Sequence, residues 1–167
     1  MDNKVRLARR AGRVRRYHTA HMVQGEDVAQ HTFNCLNLVM ILTKGQPSMA
    51  LLQHVLLHDQ GEWLTGDIPS PAKHVIPTVA KMNIDLLEDQ AINSIHHCGI
   101  PALSAEDRHL FKVVDNWDGL LKCMEEAIMG SLDAQEIGNT YIQYLLKMGN
   151  LPELVMETIS EFEELTA

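Results

Sequence analysis

Residues 48–73 read Ser48-Met-Ala-Leu51-Leu52-Gln-His-Val55-Leu56-Leu57-His58-Asp59-Gln-Gly61-Glu62-Trp-Leu64-Thr-Gly66-Asp67-Ile-Pro69-Ser-Pro71-Ala-Lys73. Ser48 is a good N-cap, and Leu51, Leu52, Val55 and Leu56 recur at helical spacing, which predicts one helix from Ser48 through Leu57 and beyond. His58, Asp59 and Glu62 fall at its end. If the helix continues, Glu62 projects over the same face as His58 and Asp59, one turn later. Gly66, Pro69 and Pro71 cannot sit inside a regular helix, so residues 64–73 read as an ordered loop.

Outward from this stretch the chain stays helical. On the N-terminal side Val28, Phe33, Leu36, Val39, Met40 and Thr43 predict a helix over residues 28–44, ended by Gly45 and Pro47, with His31 in its first turns. On the C-terminal side helical patterns run from Pro77 to His97, Ser104 to Met129, Asp133 to Met148 and Pro152 to Leu165. No alternating strand pattern competes, so the fold class expected is all-α, a helical bundle. Its 167 residues, 46% of them hydrophobic, suit a single domain spanning 1–167, and no repeat, low-complexity tract or linker interrupts it. The richest apolar run, Leu36 to Leu42, turns polar at Thr43 and Lys44, well short of the roughly 20 residues of a membrane span.

Three cysteines at irregular spacing, with no CxxC and no apolar secretion segment at the start, predict a reducing cytoplasm. Any metal is then held by histidine and carboxylate rather than by a zinc finger. The net charge of −8 hides an asymmetry, because Lys4, Arg6, Arg9, Arg10, Arg13, Arg15 and Arg16 are half of the fourteen basic residues. Such a basic arm, about residues 1–16, suits nucleic acid, a phosphorylated small molecule, an acidic neighbouring subunit, an organelle-targeting segment or simply solvent.

His58-Asp59 offers an imidazole and a carboxylate, suitable ligands for zinc, cobalt, manganese or iron, and His31 and Asp115 add the same chemistry from two other predicted helices. A bundle core can bring four such groups together. Taken singly, His31 also reads as a hydrogen-bonded core histidine, Asp115 as a surface acid and Glu62 as an exposed helix-end glutamate. Asp115 follows Phe111, Val113 and Val114, however, so a carboxylate beside that apolar face needs a partner, and a metal is one.

The order His31, then His58-Asp59 through Glu62 and Asp67 to Lys73, then Lys112-Val-Val-Asp115, resembles the HD phosphohydrolases, in particular their bacterial 5'-deoxynucleotidase branch. Arg15-Arg16-Tyr17-His18-Thr19 and Val28-Ala29-Gln30-His31 look most like the small phage dATP triphosphohydrolases of phages whose DNA carries 2-aminoadenine. The resemblance implies that His31, His58, Asp59 and Asp115 ligate a divalent metal, with Mg on the phosphates as a further ion. It implies Glu62 and Asp67 as catalytic groups, Arg16, Lys73 and Lys112 on phosphate oxygens, Tyr17 against the deoxyribose and Thr19 at the base. The implied reaction is dATP to deoxyadenosine plus triphosphate; hydrolysis of dNMP to deoxynucleoside and phosphate is the alternative. Related enzymes lead to the expectation of a homo-oligomer, dimer or hexamer, in the cytoplasm of a cell or of a phage's host. A nucleic-acid-binding protein and a non-catalytic HD module are the rivals of another class, and neither accounts for Glu62 and the loop after it.

Overall fold

A computed structural model describes residues 3–167. Nine helices and a two-stranded ribbon occur among these residues: α1 Asn3–Ala11, β1 Arg15–Arg16, β2 Glu26–Asp27, α2 Val28–Leu42, α3 Met49–Leu57, α4 Glu62–Thr65, α5 Ser70–Val75, α6 Thr78–His96, α7 Ala105–Ile128, α8 Leu132–Met148 and α9 Glu153–Thr166. The all-α bundle is as the sequence predicts. None of these helices is long and apolar enough to cross a membrane.

Side-chain caps set several helix starts. Asp27, Ser48, Ser104 and Ser131 each accept a hydrogen bond from the backbone N–H three residues on, at the N-termini of α2, α3, α7 and α8. Pro77 and Pro152 precede α6 and α9, where a missing N–H costs nothing.

Two expectations are corrected. The helix begun at Ser48 ends at Leu57, the chain turns through Gln60 and Gly61, and Glu62 opens the separate short helix α4. Gly61 is required there, since a Cβ would lie 2.6 Å from the Glu88 Cα. The stretch 64–73 is not all loop: Pro69 caps α5, and Pro71 sits in its first turn, where proline is tolerated. The ribbon has no sequence signal, because two residues carry no period. Antiparallel pairing places Arg15 opposite Asp27 and Arg16 opposite Glu26, so each basic residue faces an acid.

The core has two parts. Cys35 and Val39 of α2, Leu51 and Val55 of α3 and Val114 of α7 form one; Trp117, Leu120, Ile142, Leu145, Val155 and Phe162 of α7, α8 and α9 belong to the other. Leu38 and Leu42 touch both, so the apolar interior is continuous. Each fully buried large side chain contributes roughly 1.5 to 3 kcal/mol. Helix α7 contributes to both parts, with Asp118 buried between them and Asp115 partly exposed one turn earlier.

Candidate metal centre and nucleotide pocket

His31 comes from α2, His58 and Asp59 from the turn that follows α3, and Asp115 from α7. The His31 Nε2 lies 3.2 Å from Asp115 Oδ1 and 3.7 Å from Asp59 Oδ2. The His58 Nε2 lies 3.2 Å from Asp59 Oδ2 and 3.9 Å from Asp115 Oδ1. Two imidazole nitrogens and two carboxylate oxygens thus converge, three of the four residues close enough together to hold one ion.

The far sides of both rings are fixed. His31 Nδ1 is 2.6 Å from the buried Asp118 Oδ2, and His58 Nδ1 is 2.8 Å from the Val55 carbonyl oxygen. Both partners accept, so each Nδ1 carries a hydrogen and each Nε2 is the nitrogen turned into the cluster, where a neutral ring offers its lone pair. Consistent with this, His58 Nε2 is buried and makes no hydrogen bond. A divalent cation fits this donor set: two neutral imidazoles, two carboxylates and an orphaned buried nitrogen aimed at their centre.

Burial opposes ionisation of Asp59 and Asp115, yet the facing His58 and His31 rings hold both below the usual carboxylate range. Burial likewise opposes charging His58 and His31, and the carboxylates around them raise both above the ordinary imidazole value. A second grouping, His31, Cys35 and Asp118, is fully buried. Burial pushes the Cys35 thiol up to about 11, so it stays protonated, and the His31–Asp118 hydrogen bond closes that side.

Glu62, nearly buried on α4, has an Oε2 with no hydrogen-bond partner. Burial first, then Asp59 and Asp67, push its carboxyl up to about 9. Asp67 Oδ2 lies 3.9 Å from His18 Nδ1. Lys73 borders the same cleft as Asp59 and Glu62, and Lys112 borders a shallow one with Asp115. Arg16, mostly buried, lies 3.5 Å from Glu26 and 5.4 Å from the Tyr17 ring centre, close enough to Asp59 for their charges to interact. Its Nη1 and both Glu26 oxygens make no hydrogen bond.

Tyr17 stands at φ 55°, a left-handed backbone that a bulky residue adopts only when its surroundings enforce it. Its hydroxyl is 2.9 Å from that of Tyr141, whose ring lies where a Cβ on Gly119 would collide. Tyr17, Thr19, Pro69, Glu136, Tyr141 and Tyr144 line a pocket of about 320 Å³. Tyr144 also borders the cleft that Asp115 and Lys112 line. Glu126, buried on α7, accepts the N–H groups of Val23 and Gln24 and the Lys122 ammonium, and so anchors the segment that follows Tyr17 and Thr19.

Of the predicted site residues, His31, His58, Asp59 and Asp115 meet in the cluster, Glu62 and Lys73 share a cleft with Asp59, Lys112 shares one with Asp115, Asp67 faces His18, and Tyr17 and Thr19 line the separate pocket. Asp118, Glu26 and Tyr141 were not predicted. Asp118 had a faint signal, a second acid one helical turn after Asp115; Tyr141, on a helix far along the chain, had none.

A histidine–aspartate cluster at the centre of a helical bundle, with a glutamate one short turn beyond it, defines the class of HD phosphohydrolases. Residues 5–162 match the family described as 5'-deoxynucleotidase YfbR-like, and the chain belongs to that family. Three solved structures share its fold. Cyanophage S-2L HD phosphohydrolase (DatZ), bound to dA and one catalytic Zn2+ ion, has a TM-score of 0.69 at 19% identity, covering 98% of this chain and 95% of its own. A conserved hypothetical protein from Pyrococcus furiosus has a TM-score of 0.67 at 19% identity and 98% coverage of both chains. A protein from Pyrococcus horikoshii OT3 has a TM-score of 0.69 at 18% identity and 99% coverage of both. No curated protein matches the chain by sequence. The protein is a metal-dependent phosphohydrolase of deoxynucleotides.

Proposed function

We propose that the protein hydrolyses dATP to deoxyadenosine and triphosphate, with His31, His58, Asp59 and Asp115 holding the divalent ion. The observation that carries the reading is the arrangement of three cations, Arg16, Lys73 and Lys112, around one His and Asp cluster. A monophosphate needs fewer positive charges, and each charged hydrogen bond to a phosphate oxygen contributes on the order of 1.5 to 3 kcal/mol. Zinc, cobalt or manganese suits the donor set, and the ion supplies Lewis acidity toward the phosphoryl group. Glu62 takes or returns the proton at its unpaired Oε2, with Asp67 alongside. Arg16, Lys73 and Lys112 hold phosphate oxygens in line.

The pocket beside Tyr17 is large enough to take the nucleoside. The Tyr17 ring forms a wall against the deoxyribose where a 2'-hydroxyl has no room, and Thr19 borders the base. The adenine preference is supported by DatZ, which binds dA. Hydrolysis of dNMP is the second reading, favoured by the 5'-deoxynucleotidase description of the family. A homo-oligomer, dimer or hexamer, in the cytoplasm belongs to the proposal and is measured by sedimentation velocity.

Competition among equal concentrations of dATP, dGTP, dTTP, dCTP and dAMP, with cobalt, manganese or zinc added, tests the substrate. The expected result is fastest loss of dATP with triphosphate as product. Faster loss of dAMP establishes the monophosphatase, and a lead by dGTP overturns the adenine assignment while leaving the metal chemistry intact.

A further inference from the structure

Residues 1–16 hold seven of the fourteen basic residues and one of the twenty-two acids, a net +6, so the other 151 residues carry −14. The reaction proposed above uses only Arg16 of this arm. Arg6, Arg9 and Arg10 lie three and four residues apart on α1, and are therefore neighbours on one helix face. The Arg13 N–H donates to the Arg10 carbonyl oxygen at 2.9 Å, continuing the turn past Ala11 and holding Arg13 over Arg9 and Arg10. All four side chains are exposed, and together they line one cleft of about 420 Å³. Among the described residues no carboxylate borders that cleft and none of the four guanidinium groups forms an ion pair. In a molecule this acidic, four guanidinium groups around one concavity with no ion pair among the described residues is the arrangement that a polyanion completes.

We infer that this cleft is a second polyphosphate site, separate from the metal centre and sharing no lining residue with the clefts there. Guanidinium forks bind phosphate oxygens two at a time, and four of them match the four or so charges of a triphosphate chain. The ligand is compact rather than a nucleic-acid duplex. A nine-residue helix is only about 14 Å long. Beyond it a duplex would run over a surface of strongly negative sum, within the roughly 8 to 10 Å reach of charge in physiological salt. A triphosphate stays inside the arm's own positive field.

The test is calorimetric titration of the full chain with inorganic triphosphate at low salt, in EDTA so that the metal centre does not contribute. One equivalent is expected to bind, and to bind equally well to Lys112→Gln, which alters the proposed substrate site alone. Arg9→Gln/Arg10→Gln and, independently, Arg6→Gln/Arg13→Gln should each weaken it by about tenfold or more, as expected for lost charged hydrogen bonds. Both variants should keep the wild-type circular dichroism, melting temperature and kcat. Orthophosphate should bind at least about tenfold more weakly, since it spans fewer forks. Equal affinity for a non-hydrolysable dATP analogue assigns the site to the phosphate chain; binding of the analogue without triphosphate overturns that assignment. Triphosphate binding that both double variants retain overturns the site. So does binding of duplex DNA, or a self-association lost in the variants, without any triphosphate binding. Loss of binding in Lys112→Gln alone moves the ligand to the metal centre.

Discussion

Asp118 was not predicted as a site residue, and its replacement gives the sharpest test of how the cluster is held. Its Oδ2 lies 2.6 Å from His31 Nδ1, with His31 0% and the Asp118 side chain 4% exposed. An accepting carboxylate there keeps a proton on Nδ1, so Nε2, 3.2 Å from Asp115, is the nitrogen a neutral ring offers to an ion. Asp118→Ala removes the partner and leaves a buried N–H unsatisfied. A charged hydrogen bond of this kind is worth on the order of 1.5 to 3 kcal/mol. Loss of an outer-shell partner to a metal-ligating histidine typically weakens the metal by about 10- to 100-fold, the same range. The expected outcome is therefore a 10- to 100-fold rise in the zinc or cobalt Kd, with a lower melting temperature in the metal-free form. Competition against a chromogenic chelator measures the first and calorimetry the second. Unchanged metal affinity in a folded Asp118→Ala protein would refute the reasoning, because His31 would then need neither Asp118 nor its tautomer to hold the ion.

Asp59→Ala should lose bound metal and activity together, and elemental analysis showing full metal alongside full turnover rejects Asp59 as a ligand. Glu62→Gln should keep its metal while turnover falls by about 100-fold or more, as for a proton-transfer group; equal loss of metal would move Glu62 into the ligand set. Burial pushes Glu26 up to about 7 from 4.5, so between those values the folded state holds a proton that the unfolded chain has released. Stability should therefore fall as pH rises through that window, by at most about 3 kcal/mol, and Glu26→Gln should flatten the slope. Urea unfolding at pH 4.5 and 7.5 reads this, and identical slopes in both proteins would dismiss the buried carboxyl as the cause.

The helical bundle was legible because its signals are local. Ser48, Ser104 and the periodic apolar rows of α2, α3 and α7 state helix starts and buried faces within a dozen residues each. The candidate ligands were legible for a related reason, since histidine and aspartate beside apolar rows need a partner wherever they are placed. The break between Leu57 and Glu62 was not, because His58 and Asp59 are compatible with a continuing helix and the close approach of Glu88 to Gly61 is a tertiary contact. The ribbon of Arg15–Arg16 with Glu26–Asp27 is two residues deep and too short for any period to show. Asp118 behind His31, Tyr141 against Tyr17 and Glu26 beside Arg16 join residues 87, 124 and 10 positions apart. Such pairings depend on how α2, α7 and α8 cross, and side-chain geometry across helices is fixed by packing rather than by neighbours in the chain. The sequence by itself determined which chemistry the protein carries; the tertiary structure decided which nitrogen of each histidine is free to use it.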